Sequence, residues 1–362
     1  MASLPKKKRP FRVFFAAVLV TLLYFGLFPY PLHRELVVHP AWAVKIPDPG
    51  TAPVAAPDPS TAAPFHLGET FGYVAPDGTV LYAARQLYRV ALSSAGFVSY
   101  TRLGTDWIMQ NPTGARLFTF SGDGYPLLSA DGRRIFTVKA DLSGIIEIDK
   151  EGDRLWRRDF PSFMTSVSTS PDTVAVGLLN GGMVVLNTQG AAVFTYSPKG
   201  SRIPVIVGTA VSPDSSLIAG MSGIDPQLLT VLRRSGTGYE SVAQQRLSSD
   251  FRREARLVFS PDSRWLVFEE PQGAGLFDPG TGAVDSVALD GTLDGVAFPD
   301  RGRCGAFIAR GADSTTFTIV APFTAPLASG SFPGTEVSLG VVDGQLLIGW
   351  NGRLLRIDVE EL

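Results

Sequence analysis

Short apolar runs alternate with polar, turn-forming corners through most of the chain. Between Leu257 and Phe268 the sequence LVFSPDSRWLVF sets the quartet Ser260-Pro261-Asp262-Ser263 between two β-branched or aromatic runs. Ser, Pro and Asp at successive positions suit a type I turn, because Pro presets φ and short polar side chains bond the turn backbone. Flanking runs of this length, bounded by Pro, Gly, Asp and Ser, read as strands meeting at a hairpin corner. Related corners align Asp77, Asp131, Asp172, Asp214, Asp262, Asp300 and Asp343, at a mean spacing of about 44 residues. That period belongs to propeller blades, and the absence of any long stretch with helical periodicity after residue 65 disfavours a solenoid of helix pairs.

The corner SPD[GS]xxLxxG, followed by a pattern such as GGMVVLNTQGAAVFTY, resembles WD40 and TolB-type propeller repeats. Residues 155–196 also resemble the repeats of quinoprotein-type propellers and their non-enzymatic envelope relatives. The resemblance covers about Phe65 to Leu362 and implies a corner-and-core scaffold whose function lies in sites grafted on it. The Trp-Asp ending of standard WD40 blades is lacking. Seven aligned corners predict an all-β, seven-bladed β-propeller over residues 65–362, about 42 residues per blade. The last unit holds only three strand-like runs, so a segment near Pro64 to Thr70 is expected to supply its outer strand. The longest interval, containing Trp107 and Tyr125, is expected to add a hairpin or loop over one face. Trp156 and Trp265 are expected to pack between blades.

The first 65 residues follow a different pattern. Lys6, Lys7, Lys8, Arg9 and Arg12 form a basic flank in residues 1–12, and an uncharged apolar run starts at Val13 and reaches Phe28, or Leu32 if extended. At ~1.5 Å per residue, residues 13–32 would just span a bilayer core as one transmembrane signal-anchor helix. The cation imbalance predicts an N-terminus in the cytoplasm and an extracytoplasmic, periplasmic ring on a single-pass inner-membrane protein. A cleavable signal peptide ending at Ala41-Trp42-Ala43 and a nuclear localisation patch at PKKKRP are the competing readings. Residues 33–64 read as a Pro-rich linker that favours polyproline II over packing.

Charge and inventory narrow the function. The formal net charge is −2; residues 1–12 carry +5 and residues 13–65 carry −1, which leaves −6 on the ring. An acidic ring does not suit nucleic acid. Arg233, Arg234, Arg246, Arg252, Arg253 and Arg256 form the one basic segment, a candidate patch for a protein partner, envelope or membrane proteins in particular. The histidines are His33, His39 and His66, which leaves the blades without an imidazole for a catalytic triad or a zinc site. Cys304 is the sole cysteine; it excludes an intrachain disulfide and reads as a small buried residue. No phosphate loop or EF-hand string occurs. No catalytic residue, cofactor or metal is therefore expected. The reading is an interaction or scaffold module, in envelope complex assembly by the resemblance. A ligand-binding or sensory channel is the second reading. A carboxylate-based glycosidase or calcium-dependent lactonase, using carboxylates among Asp106, Asp141, Glu147, Asp225, Glu269 and Glu270, is the third.

Overall fold

Eight small antiparallel sheets arranged in a ring make up the computed structural model of the chain, which describes residues 36–48, 58–101, 104–324 and 326–361. Six sheets are consecutive four-stranded meanders, covering residues 89–121, 124–159, 164–196, 203–247, 257–288 and 292–333. Residues 63–85 form a three-stranded first blade, and residues 337–361 supply three strands of the last. The propeller thus has eight blades, not the seven expected from the corners. It lies within a unit of Val38–Val359; of the other unit, residues 1–37 and 360–362, only 36, 37, 360 and 361 are described.

The missing blade is the second, residues 89–121. Its first corner is a tight hairpin in which Ser93 pairs with Gly96, with neither Pro nor Asp to mark it. The Asp77 corner also belongs to another class of turn. In Ala75–Thr79 the first amide bonds the fifth carbonyl (Ala75 N to Thr79 O, 2.8 Å), as in Asn111–Ala115, Asp149–Asp153 and Asn187–Ala191. Those three join the third and fourth strands of their blades. The glycines at the fourth positions, Gly78, Gly114, Gly152 and Gly190, all have positive φ, from 73° to 95°, where a Cβ would be strained. The long interval therefore holds a whole blade, with Trp107 on its third strand, buried against Phe120.

Inner strands are buried on both faces because each sheet is covered by its two neighbours, so they read as unbroken apolar runs. Val174–Leu178 and Met183–Leu186 are buried throughout, whereas the outer strand Arg154–Asp159 alternates between exposed and half-buried positions. The cores lie between blades. Phe136, Val138 and Ile145 of the third pack on Met164, Val176 and Leu178 of the fourth, and burying each such side chain contributes about 1.5–3 kcal/mol. Trp265 is buried at the next-but-two boundary, its indole N–H donating to Gly302 O at 2.8 Å, and Trp156 donates to Thr188 O at 3.0 Å.

The ring closes through Leu36–Lys45, which pairs with Arg353–Glu361 as the fourth strand of the last blade. The outer strand thus comes from upstream, as expected, but not from Pro64 to Thr70. Ala63–Leu67 instead belongs to the first blade and lies against Val337–Val342. Residues 36–45 stand where the sequence reading placed linker. Trp42, Val44 and Ile46 pack with Phe65, Leu67, Leu347 and Leu354. The Trp42 indole and the Arg356 guanidinium both donate to Pro76 O, at 2.9 and 3.0 Å. Among the described residues no helix is long and apolar enough to cross a membrane; the apolar run at 13–32 lies outside them.

Candidate functional site

Three of the repeated corners share one internal bonding pattern. In Ser129/Asp131, Ser212/Asp214 and Ser260/Asp262 the serine hydroxyl donates to the aspartate, at 2.6, 2.6 and 2.5 Å. Each hydroxyl also accepts the amide five residues on, from Arg134, Leu217 and Trp265. Burial raises the Asp214 carboxyl, but bonds from Ser212 and Ser216 outweigh it and hold the group below its usual range. Corners also bond across blades: Ser170 Oγ to Ser215 Oγ at 2.7 Å, and Asp300 N to Gly344 O at 2.7 Å. Asp172 is exposed beside the bonded Ser170, Asp77 accepts from Thr79 N, and Asp343 sits at φ 50° in the last corner. The Arg134 guanidinium, nearly buried, forms a bidentate pair with Glu147 at 2.7 and 2.8 Å and donates to Ser170 O of the next blade at 3.2 Å.

The six arginines do not share one surface role. Arg233 donates to Pro279 O, and Arg233, Arg234 and Arg246 occupy the two outer strands of the fifth blade. Arg252 pairs loosely with Asp250. Arg253 and Arg256 turn into a cleft at the ring's inner wall. Of the scattered carboxylates, Asp106, Asp141, Glu147, Asp225 and Glu269 each have a local partner: Ser121, Ser143, Arg134, Arg202 and Arg253. Burial pushes the Cys304 thiol up to about 12, with its Sγ directed at Pro299 O.

That cleft, about 520 Å³, is bounded by inner strands of the fourth to seventh blades and by residues 253–257. The link that enters it is firmly tethered. Gln227, itself buried, donates to Phe251 O and accepts from Phe251 N and Ser249 Oγ. Glu269, 2% exposed, takes both arms of Arg253 at 2.5 and 3.1 Å and the Arg256 amide at 3.0 Å. Three such bonds satisfy a buried carboxylate that would otherwise be costly. Water reaches Glu254, yet enclosure by protein raises its carboxyl above the ordinary range against the pull of Arg256. Its charge is in turn felt by Tyr125.

A second feature is apolar. Phe163, Leu179 and Ile203 are 55%, 49% and 42% exposed. Leu179 N donates to Phe163 O at 2.9 Å, and Gly181 lies so close to Pro204 that a Cβ there would stand 2.6 Å from its ring. The three positions thus lie along the fourth blade's edge toward the fifth, and a 290 Å³ cleft lined by Arg158, Pro161, Leu178 and Asn180 opens on the third blade's side of Leu179. Single apolar residues in turns or at a strand's start carry no sequence pattern; Phe163, an aromatic in a four-residue link, is the available signal.

A family profile described as a beta-propeller protein matches residues 3–362. An uncharacterized protein of Treponema pallidum (strain Nichols) is 23% identical over 362 residues, covering 98% of this chain and 95% of the relative. Among solved structures, BamB from Moraxella catarrhalis superposes with a TM-score of 0.60 at 16% identity, over 89% of this chain and 100% of that one. Hydrazine synthase of Kuenenia stuttgartiensis does so at 0.51 and 13% identity, over 75% and 94%. The propeller domain of Cps50 (Swd1) from Myceliophteria thermophila reaches 0.52 at 12% identity, over 82% and 98%. Likeness at these identities speaks to the fold.

Proposed function

We propose, from the premise that this chain belongs to the β-propeller proteins, that it works as a protein-interaction scaffold docking a partner on the junction of its fourth and fifth blades. The observation that carries the reading is the exposed group Phe163, Leu179 and Ile203, on two adjoining turns and at the start of the next blade's inner strand. Scattered apolar residues are normal on a surface, but a contiguous group beside a cleft is a feature of docking sites. The inter-blade cores beneath it give a packed support, so a partner meets a preformed surface. The likeness to BamB bears on the fold that carries this surface. The finer reading, a scaffold of WD40/TolB or quinoprotein type assembling an extracytoplasmic envelope complex, rests on the resemblance of the repeats.

The test is a photo-reactive residue in place of Phe163 in cells, with Val284 on the sixth blade as control. A discrete protein adduct is expected at position 163 and not at 284, weakened at least tenfold by Leu179→Asp. No adduct, or the same adduct at both positions, overturns the reading.

A further inference from the structure

The charges lining the inner-wall cleft are not all satisfied. Arg253 is matched by Glu269, and Asp294 by Arg310 at 2.6 Å. The Glu254 carboxylate and the Arg256 guanidinium have no side-chain hydrogen bond among the described residues; what acts between them is a through-space attraction. Both are exposed to the cleft, while Ala255 between them is buried.

Backbone bonds fix how these two side chains project. The Ala255 amide donates to Val207 O at 2.8 Å on the fifth blade's inner strand. The next amide, Arg256 N, reaches Glu269 of the sixth, whose own amide donates to Arg256 O at 2.9 Å. Successive amides pointing opposite ways mark extended chain, in which residues two apart leave on the same side. Glu254 and Arg256 therefore leave the chain on the same side, an anion beside a cation. Ser168 and Thr209 line the same space, their hydroxyls engaged with Val211 N and Ser166 Oγ, and so belong to its wall.

We propose that this cleft binds a small zwitterion of the α-amino acid class, its carboxylate on the Arg256 guanidinium and its ammonium on the Glu254 carboxylate. A simple cation would leave Arg256 unmatched and repelled. A simple anion would meet Glu254 in a ring that is acidic overall. A molecule carrying both charges on groups attached to one carbon complements both, and charge-assisted bonds to partly enclosed ions are the stronger ones. The volume lies within the range of small-molecule sites and leaves room for a side chain. The inference is independent of the apolar docking face, which lies outside this cleft.

The experiment is calorimetric titration of the full-length protein with the twenty free α-amino acids. It is followed by titration with the N-acetyl and decarboxylated forms of the best binder. At least one amino acid is expected to bind, and each analogue lacking a charge to bind at least tenfold more weakly. Glu254→Gln and Arg256→Gln should each show the same loss, with unchanged cross-linking at position 163. No heat from any amino acid at millimolar concentration overturns the proposal. So does binding that neither the analogues nor the variants weaken. Because the analogues are tried on the unaltered protein, the proposal can fail even if a variant does not fold.

Discussion

Glu254 shows how a single residue records its surroundings. Enclosure disfavours its anion, so its carboxyl titrates above the ordinary carboxylate value. Between the unfolded value, near 4.3, and the raised folded one, the folded chain holds more protons than the unfolded chain. Stability contributed at this position is therefore present below that interval and lost as pH rises through it. Glu254→Gln removes the titration, so the variant should melt above the parent at pH 7. The advantage should vanish as pH approaches 4, as thermal unfolding at the two pH values will show; equal melting at pH 7 would contradict the assignment. That Glu254 faces the cleft was not legible in the sequence. The segment around it stands out by its arginines, but Tyr125, whose phenol feels its charge, comes from another blade, and only the ring brings them together. Composition singles out Arg253 and Arg256 in a candidate patch, but a sequence does not say which way the link that carries them turns, and here both line the cleft.

At the scale of elements, the ring depends on struts between blades as well as apolar contact. Arg134, at a first corner, reaches Glu147 on its own blade's third strand and the Ser170 carbonyl of the next. Both side chains are 7% exposed, so removing one partner strands a buried charge. Glu147→Gln should cost about 3–5 kcal/mol, and Arg134→Met with Glu147→Leu should recover most of it; urea denaturation of the three proteins decides. Equal stability of single variant and parent would show that the pair carries no net weight. Corners of this kind were readable because Ser, Pro and Asp each contribute a distinct constraint to a turn. The second blade escaped because Ser93–Gly96 makes its corner with neither Pro nor Asp. Gly78, Gly114, Gly152 and Gly190, stepping by 36, 38 and 38 residues, carry the period that the aspartates interrupt.

For the whole molecule, closure rests on one strand. Leu36–Lys45 covers an edge of the last blade and brings Trp42 and Val44 into the final core. Deleting residues 36–45 should lower the melting temperature by roughly 5–10 °C, from the lost burial and the size of the chain. It should also promote concentration-dependent association through the bared edge. Calorimetry and light scattering at two concentrations measure both, and an unchanged melt in a monodisperse sample would place closure elsewhere. The same pairing sets a timetable for the newborn chain. Residues 36–45 leave the ribosome about 300 residues ahead of Arg353–Glu361, which at ~5–20 residues per second is a wait of roughly 15–60 s. Through that interval the strand that will seal the ring is an unpaired apolar segment, and the nascent chain has its greatest need of a chaperone before its last strand is made.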